Sequence, residues 1–177
     1  MDLDTILSRA PEASEYASYY GKYITLIDQR NIRDTLESQF RETQVVLSAL
    51  TEEQGGHRYA PGKWSIREVV GHINDSERIF AYRALRIARG DQTPIEGFDQ
   101  DAYVEGGWFE RVRLAGLAAE FASIRQATLS LLRTFDAEAW TRRGIANKNE
   151  VSVRALAWII AGHERHHRNI LAERYLS

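Results

Sequence analysis

The sequence contains no cysteine among its 177 residues. This absence excludes disulfide frameworks, thiolate metal sites and a cysteine nucleophile, and it is compatible with a reducing compartment. Any metal held by side chains must therefore be bound through nitrogen or oxygen atoms.

Long apolar runs and an excess of one charge are also absent. No stretch approaches the roughly 20 apolar residues that a membrane helix needs. Residues 1–20 begin acidic and lack a basic region followed by an apolar run, so we expect no secretory signal. The 23 basic and 25 acidic residues are intermixed, with a net charge of −2, which does not suit a binder of nucleic acid or of an anionic membrane. We therefore expect a cytoplasmic protein whose partner is a small-molecule substrate.

The apolar residues from residue 30 onward recur at helical spacing. A chain of this length suits one domain over residues 1–177. Ser65 and Glu68 have the spacing of a capping box, and Ser152 is a second candidate N-cap. The spacing predicts four long amphipathic helices, over residues 31–50, 65–90, 108–135 and 152 to the C-terminus. Four such helices indicate an all-α protein built as a four-helix bundle.

Two segments lie outside the predicted helices. An N-terminal extension carries four tyrosines between residues 16 and 23 at helical intervals, a stripe that is more typical of packing than of a ligand site. Residues 90–107 show no helical period and separate the second and third helices. A loop of this length is usually functional or disordered. Its Pro94, Phe98 and Tyr103 suggest an ordered cover, and a plain connector is the alternative.

The histidines are few and clustered, at positions 57, 72, 163, 166 and 167. His163, Glu164 and His167 match H-E-x-x-H, the zinc-binding helix of many metalloproteases. The extended protease pattern needs a glycine and a third histidine downstream, where this chain has Ile170 and Glu173. Only ten residues follow His167. We therefore interpret the protease match as a false positive, and a third metal ligand must come from upstream.

Helical spacing identifies that upstream histidine. His163 and His167 occupy the apolar stripe of the fourth helix, one turn apart, and His72 occupies the apolar stripe of the second. A lone inward histidine is usually a hydrogen-bonded core residue. Three of them can instead satisfy their ring nitrogens by sharing one metal ion. Three histidines with an open fourth position are the ligand set of a catalytic metal site.

The remaining candidates are weaker. His166 lies about 80° around the helix from the other two, so it suits an outer-shell donor or a surface position. His57 lies in a glycine-containing loop, where a solvated or a turn-associated side chain is expected. Glu164 is within plausible reach of a water on the metal, which makes it the one candidate catalytic residue.

The chain resembles the DinB-like superfamily, in particular the YfiT-like metal-dependent hydrolases, over nearly its full length. The resemblance is carried by "YAPGKWSIREVVGHINDSER" (59–78), "FAYRALRIARGDQTPIEGFDQDAYV" (80–104) and "GHERHHRNIL" (162–171). It implies a four-helix bundle, commonly a homodimer, with a three-histidine site for a divalent metal, often zinc or nickel. By motif, the ligands would be His72, His163 and His167.

The resemblance leaves the reaction open. Some relatives are S-transferases for low-molecular-weight thiols or isomerases that depend on such thiols, and others are named hydrolases. A metal with an open position can activate either water or a thiol at neutral pH. Without cysteine, this chain would need the thiol as a cosubstrate. Asp75, Arg78 and Arg83 could orient it, or they could form ordinary ion pairs on the helix surface. The alternative to an enzyme is a noncatalytic metal-binding or stress-response module.

Overall fold

The computed structural model describes residues 2–28 and 30–176. Four long helices dominate it, and the shorter elements lie before and between them. In chain order the elements are α1 (Leu3–Ser8), α2 (Gly21–Ile24), α3 (Ile32–Ala49), α4 (Ile66–Ala88), α5 (Gln100–Gly106), α6 (Leu114–Arg133), α7 (Ala137–Thr141), β1 (Arg143–Ala146), β2 (Asn149–Ser152) and α8 (Val153–Ile170). A π-helical turn, Leu171–Tyr175, continues α8.

The predicted helix starts at Ser65 and Ser152 are confirmed. The Ser65 amide donates to Glu68 Oε2 at 2.6 Å, and the Glu68 amide donates to Ser65 Oγ at 3.3 Å, which completes the capping box of α4. The Ala155 amide donates to Ser152 Oγ at 3.0 Å at the start of α8. These caps set where each histidine falls along its helix.

The third long helix begins later than predicted. Instead of starting near Trp108, α6 starts at Leu114. Trp108 has a left-handed backbone (φ 52°), and a 3₁₀ turn, Phe109–Arg111, follows it. Phe109 is buried against the bundle, so it continues the apolar period without belonging to the helix.

The prediction of a segment without helix over residues 90–107 was wrong. It contains α5, whose first amides, those of Asp101 and Ala102, donate to the side chain of Asp99. The segment is also anchored to the hairpin, because the Ile95 amide donates to the Ile145 carbonyl at 2.9 Å. Residues 90–107 are therefore an ordered cover over one end of α4.

A small antiparallel hairpin, β1–β2, was not predicted. Its strands pair from Arg143 opposite Ser152 to Ala146 opposite Asn149. The two turn residues, Asn147 and Lys148, both have positive φ (48° and 65°), as the tightest hairpin turns require. The hairpin leads directly into α8 and places Asn147 beside the cover segment.

The four long helices pack in a ring rather than in sequence order. Helix α4 lies between α6 and α8, and α3 lies between the same two helices on the opposite side. Consecutive helices α3 and α4 are thus diagonal partners. Within the described ranges, no helix has both the length and the apolar character required for a bilayer span.

A buried polar network joins the four long helices. Glu77 of α4 and Arg125 of α6, both almost fully buried, form a bidentate ion pair with two contacts of 2.8 Å. Arg125 also donates to the Leu36 carbonyl of α3 at 3.2 Å. Glu164 of α8 faces Arg125 and accepts a hydrogen bond from Thr43 of α3. The network fixes the axial position of α4 relative to α8.

The N-terminal extension packs on α8 at a glycine. A Cβ atom on Gly162 would overlap the carbonyl oxygen of Tyr23. Only glycine allows α2 to approach this closely. The contact places the ring of Tyr23 against the following residue of α8, His163.

Replacing Glu77 with glutamine should lower the free energy of unfolding by about 3–5 kcal/mol, because the buried Arg125 loses the carboxylate with which it forms its bidentate ion pair. The matched control is Glu37→Gln, which removes half of the more exposed Arg133–Glu37 pair between α6 and α3. That change should cost about 1 kcal/mol or less. Urea unfolding of both variants measures the difference, and equal losses would contradict the role given to the network.

Gly162→Ala should destabilise the fold by about 1–3 kcal/mol through overpacking against α2. Gly116→Ala is the control, because a Cβ there makes only an ordinary contact with Val112 at 3.6 Å. It should raise stability by about 0.5–1 kcal/mol, as alanine does in helices. If thermal unfolding shows Gly162→Ala to be as stable as Gly116→Ala, the close packing of α2 is incorrect.

Candidate metal centre

Three histidine side chains converge between α4 and α8. The Nε2 atom of His163 lies 3.0 Å from Nε2 of His72 and 3.2 Å from Nε2 of His167. The three potential ligand atoms all lie within 4.8 Å of one another. The side chains are buried, with 3, 5 and 8 % exposure for His72, His163 and His167. The structure thus brings together the three histidines selected from the sequence.

Hydrogen bonding alone accounts poorly for this arrangement. A neutral imidazole nitrogen carries either one hydrogen or one lone pair. Nε2 of His163 has two nitrogen neighbours at hydrogen-bond distance, so it can serve only one of them well. Three lone pairs directed at a common point are satisfied by one cation.

The three imidazoles are held in the neutral form. Burial lowers the pKa of His72 to about 4, and the nearby His166 adds to this effect. Burial also lowers the pKa of His163 and of His167 well below the usual value, and repulsion from the neighbouring imidazoles lowers both further. At neutral pH all three therefore offer lone pairs, which is the form that binds metals.

Aromatic rings surround the cluster and restrict its rotation. Trp64 lies 4.8 Å from the ring of His72, and Tyr23 and Phe80 lie 5.3 and 5.9 Å from the ring of His163. Burial, followed by the adjacent Tyr19 hydroxyl, raises the pKa of Tyr23, so its phenol stays protonated. The aromatic rings that contact the cluster are therefore uncharged.

A cleft of about 330 Å³ opens onto His72 and His163. One wall consists of Tyr19, Tyr20 and Tyr23 of the predicted tyrosine stripe, so these residues line a candidate ligand site in addition to packing. Ala17 lies on the same side, and the other described lining residues come from α4, the cover segment and the hairpin: Ser76, Phe80, Arg83, Phe98, Gln100, Ala146, Asn147 and Asn149. A second cleft, of about 280 Å³, reaches His167 from the side of Trp64, Lys63 and Asp101.

Glu164 is not part of the histidine cluster. Its buried carboxylate accepts from Thr43 on α3 and faces Arg125 inside the bundle. Burial raises its pKa. The neighbour of His163 in sequence therefore belongs to the structural network, and the geometry supports that role rather than a catalytic one.

The other two histidines lie outside the cluster. His166 packs its ring 5.3 Å from Tyr23 and 5.1 Å from His167, at the edge of the site. His57 is exposed in the loop before α4, and its carbonyl accepts from the Ile66 amide at 3.2 Å. His166 lies where helical spacing predicts, and His57 lies exposed in the loop where it was expected.

The three charged residues near His72 separate into two groups. Arg78 forms a surface pair with Glu120 at 2.6 Å and a longer one with Asp75 at 3.4 Å, as the surface interpretation predicts. Arg83 is different, because it is buried and lines the cleft. The surface interpretation is wrong for Arg83.

Sequence reasoning did not select Tyr23, Trp64 or Asn147 for the site. Tyr23 is distant from the histidines in sequence and reaches His163 only through packing, whereas Trp64 precedes His72 by eight residues and lies just before the start of α4. Asn147 enters the cleft wall through the unpredicted hairpin. The only sequence signal for this hairpin was the pair Asn147-Lys148, which lies between two short stretches that form the strands.

Comparisons with known proteins show which family the chain resembles. The sequence model of the DinB superfamily matches residues 35–171. A "Putative metal-dependent hydrolase" of Bacillus pumilus is 27% identical over 138 residues, covering 76% of this chain and 77% of the relative. A protein of the same description from Oceanobacillus iheyensis is 28% identical over 81 residues, covering 45% of this chain and 46% of the relative.

A solved structure shares the fold. YfiT from Bacillus subtilis, described as "a probable metal-dependent hydrolase with an unusual four-helix bundle topology", superposes with a TM-score of 0.69 at 19% identity. The match covers 96% of this chain and 95% of that one. Because the family model matches residues 35–171, more than half of the chain, the chain belongs to the DinB superfamily.

Proposed function

We propose that this chain is a metal-dependent enzyme in which His72, His163 and His167 hold one divalent ion. The observation that carries the proposal is the convergence of three neutral, buried Nε2 atoms beside a cleft. The names of the two curated relatives support metal dependence. Zinc or nickel is the expected ion, since imidazole suits both.

The spacing of the nitrogens fits such an ion. With metal–nitrogen bonds of about 2.0–2.1 Å in tetrahedral geometry, ligand nitrogens lie about 3.3 Å apart. The two short separations in the cluster are 3.0 and 3.2 Å. Small side-chain adjustments would therefore complete the coordination.

The cleft favours an enzyme over a noncatalytic module. A structural metal site is closed by a fourth protein ligand. Among the residues that the structure describes, only these three form a candidate group of metal ligands. The bound metal would supply a Lewis acid that lowers the pKa of a water or a thiol at its free position.

The residues around the ion would orient the reactants and exclude bulk water. Ser76 Oγ lies 3.5 Å from Nδ1 of His72, close enough to orient that ring. Tyr23 and Phe80 cover His163. The substrate, a small molecule, would enter along the tyrosine wall, and a low-molecular-weight thiol would be a cosubstrate in a transfer reaction. We do not assign Glu164 to the chemistry, because its carboxylate is engaged inside the bundle.

Two expectations accompany the proposal. Homodimer formation and a cytoplasmic location stay predictions that derive from the family resemblance and the composition. Sedimentation of the purified chain would decide the first, and cell fractionation the second.

Purified protein should bind one zinc or nickel ion per chain. Loss of a residue that only supports a ligand weakens metal binding by about 10–100-fold. The loss of a ligand should weaken it more, so we expect a larger effect in each of the variants His72→Ala, His163→Ala and His167→Ala. His57→Ala is the matched control and should bind normally. At a free metal concentration of about 100 times the Kd, the ion should stabilise the wild type by about 2.7 kcal/mol. Unchanged metal affinity in all three variants would refute the site.

One set of assays distinguishes a hydrolase from a thiol transferase. Metal-loaded protein is assayed on activated esters and on alkyl halide electrophiles, each with and without a small thiol. A transferase should consume the electrophile only when thiol is present, whereas a hydrolase should act on the ester without it. His167→Ala should reduce either activity to that of free metal, and Glu164→Gln should retain it if the variant folds. Activity equal to that of free metal in all assays would favour the noncatalytic module.

A further inference from the structure

Arg83 of α4 is a buried arginine without an acidic partner. Its side chain is 2% exposed, its Nη2 donates to the Glu96 carbonyl at 3.0 Å, and its Nε has no hydrogen-bond partner. Within residues 2–28 and 30–176, it makes no ion pair. The buried Arg125 and Arg154, in contrast, each form an ion pair with a glutamate. An unpaired buried cation is costly, so its retention requires a reason.

The cleft beside Arg83 contains no negative charge. Its described lining consists of aromatic rings, neutral amides, small residues, two histidines and this one guanidinium. The second cleft is different, since Lys63 and Asp101 both line it. The low-dielectric walls strengthen the field of Arg83 within the first cleft. An anion is the complementary occupant.

Arg83 and the histidines occupy opposite ends of this cleft. Arg83 follows His72 by eleven residues, which places it about 20° around α4 and about 16.5 Å along it. Ser76 and Phe80 line the floor between them. Helical side chains lean towards the N-terminus, which directs Arg83 towards the histidines. A single small molecule could therefore contact both ends.

The bond to Glu96 does not account for Arg83 by itself. It uses one of the five N–H donors of a guanidinium. It also fixes the guanidinium against the cover segment, which limits the rotation that would oppose binding. The remaining donors suit the bidentate recognition of a carboxylate.

We propose that Arg83 binds a carboxylate of the substrate while the reacting group lies at the histidine end. This inference rests on the proposed metal-dependent function and specifies its substrate class as small carboxylic acids. Arg83 acts as a specificity residue that sets the distance between the anionic group and the reacting atom.

The test uses probes with a thiol at one end. Zinc-loaded protein is titrated by calorimetry with 3-mercaptopropionate and its longer homologues, and with mercaptoalcohols of the same lengths. A charged hydrogen bond contributes about 1.5–3 kcal/mol, so the best acid should bind about 10–100-fold more tightly than its alcohol. Arg83→Gln should abolish this preference and leave the affinity for the alcohol unchanged. Arg83→Lys should retain part of it.

Arg86→Gln is the matched control, because Arg86 is on the same helix but pairs with Asp91 outside the cleft. It should keep the full preference for the acid. A purely structural role for Arg83 would instead weaken acid and alcohol equally in Arg83→Gln and lower its thermal stability. That result, or a wild type that does not distinguish acid from alcohol, would overturn the proposal.

A metal-free arm separates this inference from the proposed function. Butanoate and butanamide are titrated into chelator-treated protein and followed by NMR. If the wild type binds butanoate more tightly than butanamide and Arg83→Gln does not, the anion site is supported. This holds even when the protein binds no zinc, and in that case only the proposed metal function is refuted. Zinc binding without any preference for carboxylates in either arm refutes the role of Arg83 alone.

Discussion

The buried ion pair between Glu77 and Arg125 is the constraint on which the rest of the bundle depends. It joins α4 to α6, and Arg125 extends the contact to the backbone of α3. Glu164 adds α8 through Thr43. A buried pair of this kind contributes little net stability relative to apolar residues, but it penalises every alternative alignment that would leave a charge unpaired. The alignment it selects is the one that sets His72 opposite His163.

Helices α4 and α8 therefore carry two kinds of polar chemistry on different faces. One face of each contributes to the charged network inside the bundle, through Glu77 and Glu164. The other contributes the neutral histidines beside the cleft. Successive residues of an α-helix lie about 100° apart around its axis. His163 therefore points to the cleft, while the adjacent Glu164 points to the network inside the bundle. The arrangement keeps carboxylates away from the histidines and leaves Arg83 as the one fixed charge on the described wall of the cleft.

Helical spacing was sufficient to predict the four long helices and the histidine triad. His163 and His167 fall one turn apart on the apolar stripe of one helix, and His72 falls on the apolar stripe of another. Each position could therefore be identified from the neighbouring residues in the sequence alone. The start of α6 was misplaced because the buried Phe109 continues the period through a 3₁₀ turn. Short elements such as α5 and the hairpin depend on caps and turns rather than on the spacing of apolar residues.

The Glu77–Arg125 pair joins residues 48 positions apart in the sequence, and the burial of Arg83 depends on the cover segment. Neither is visible in a one-dimensional pattern.

The central claim is that three histidines hold one metal ion and leave a position free for the reaction. X-ray absorption spectroscopy of the zinc-loaded protein tests this claim most directly. The account predicts three imidazole nitrogens at about 2.0–2.1 Å and one further light-atom ligand that exchanges with added thiol, which would appear as a sulfur at about 2.3 Å. Fewer than three imidazoles, or a fourth ligand that no added thiol displaces, would contradict it.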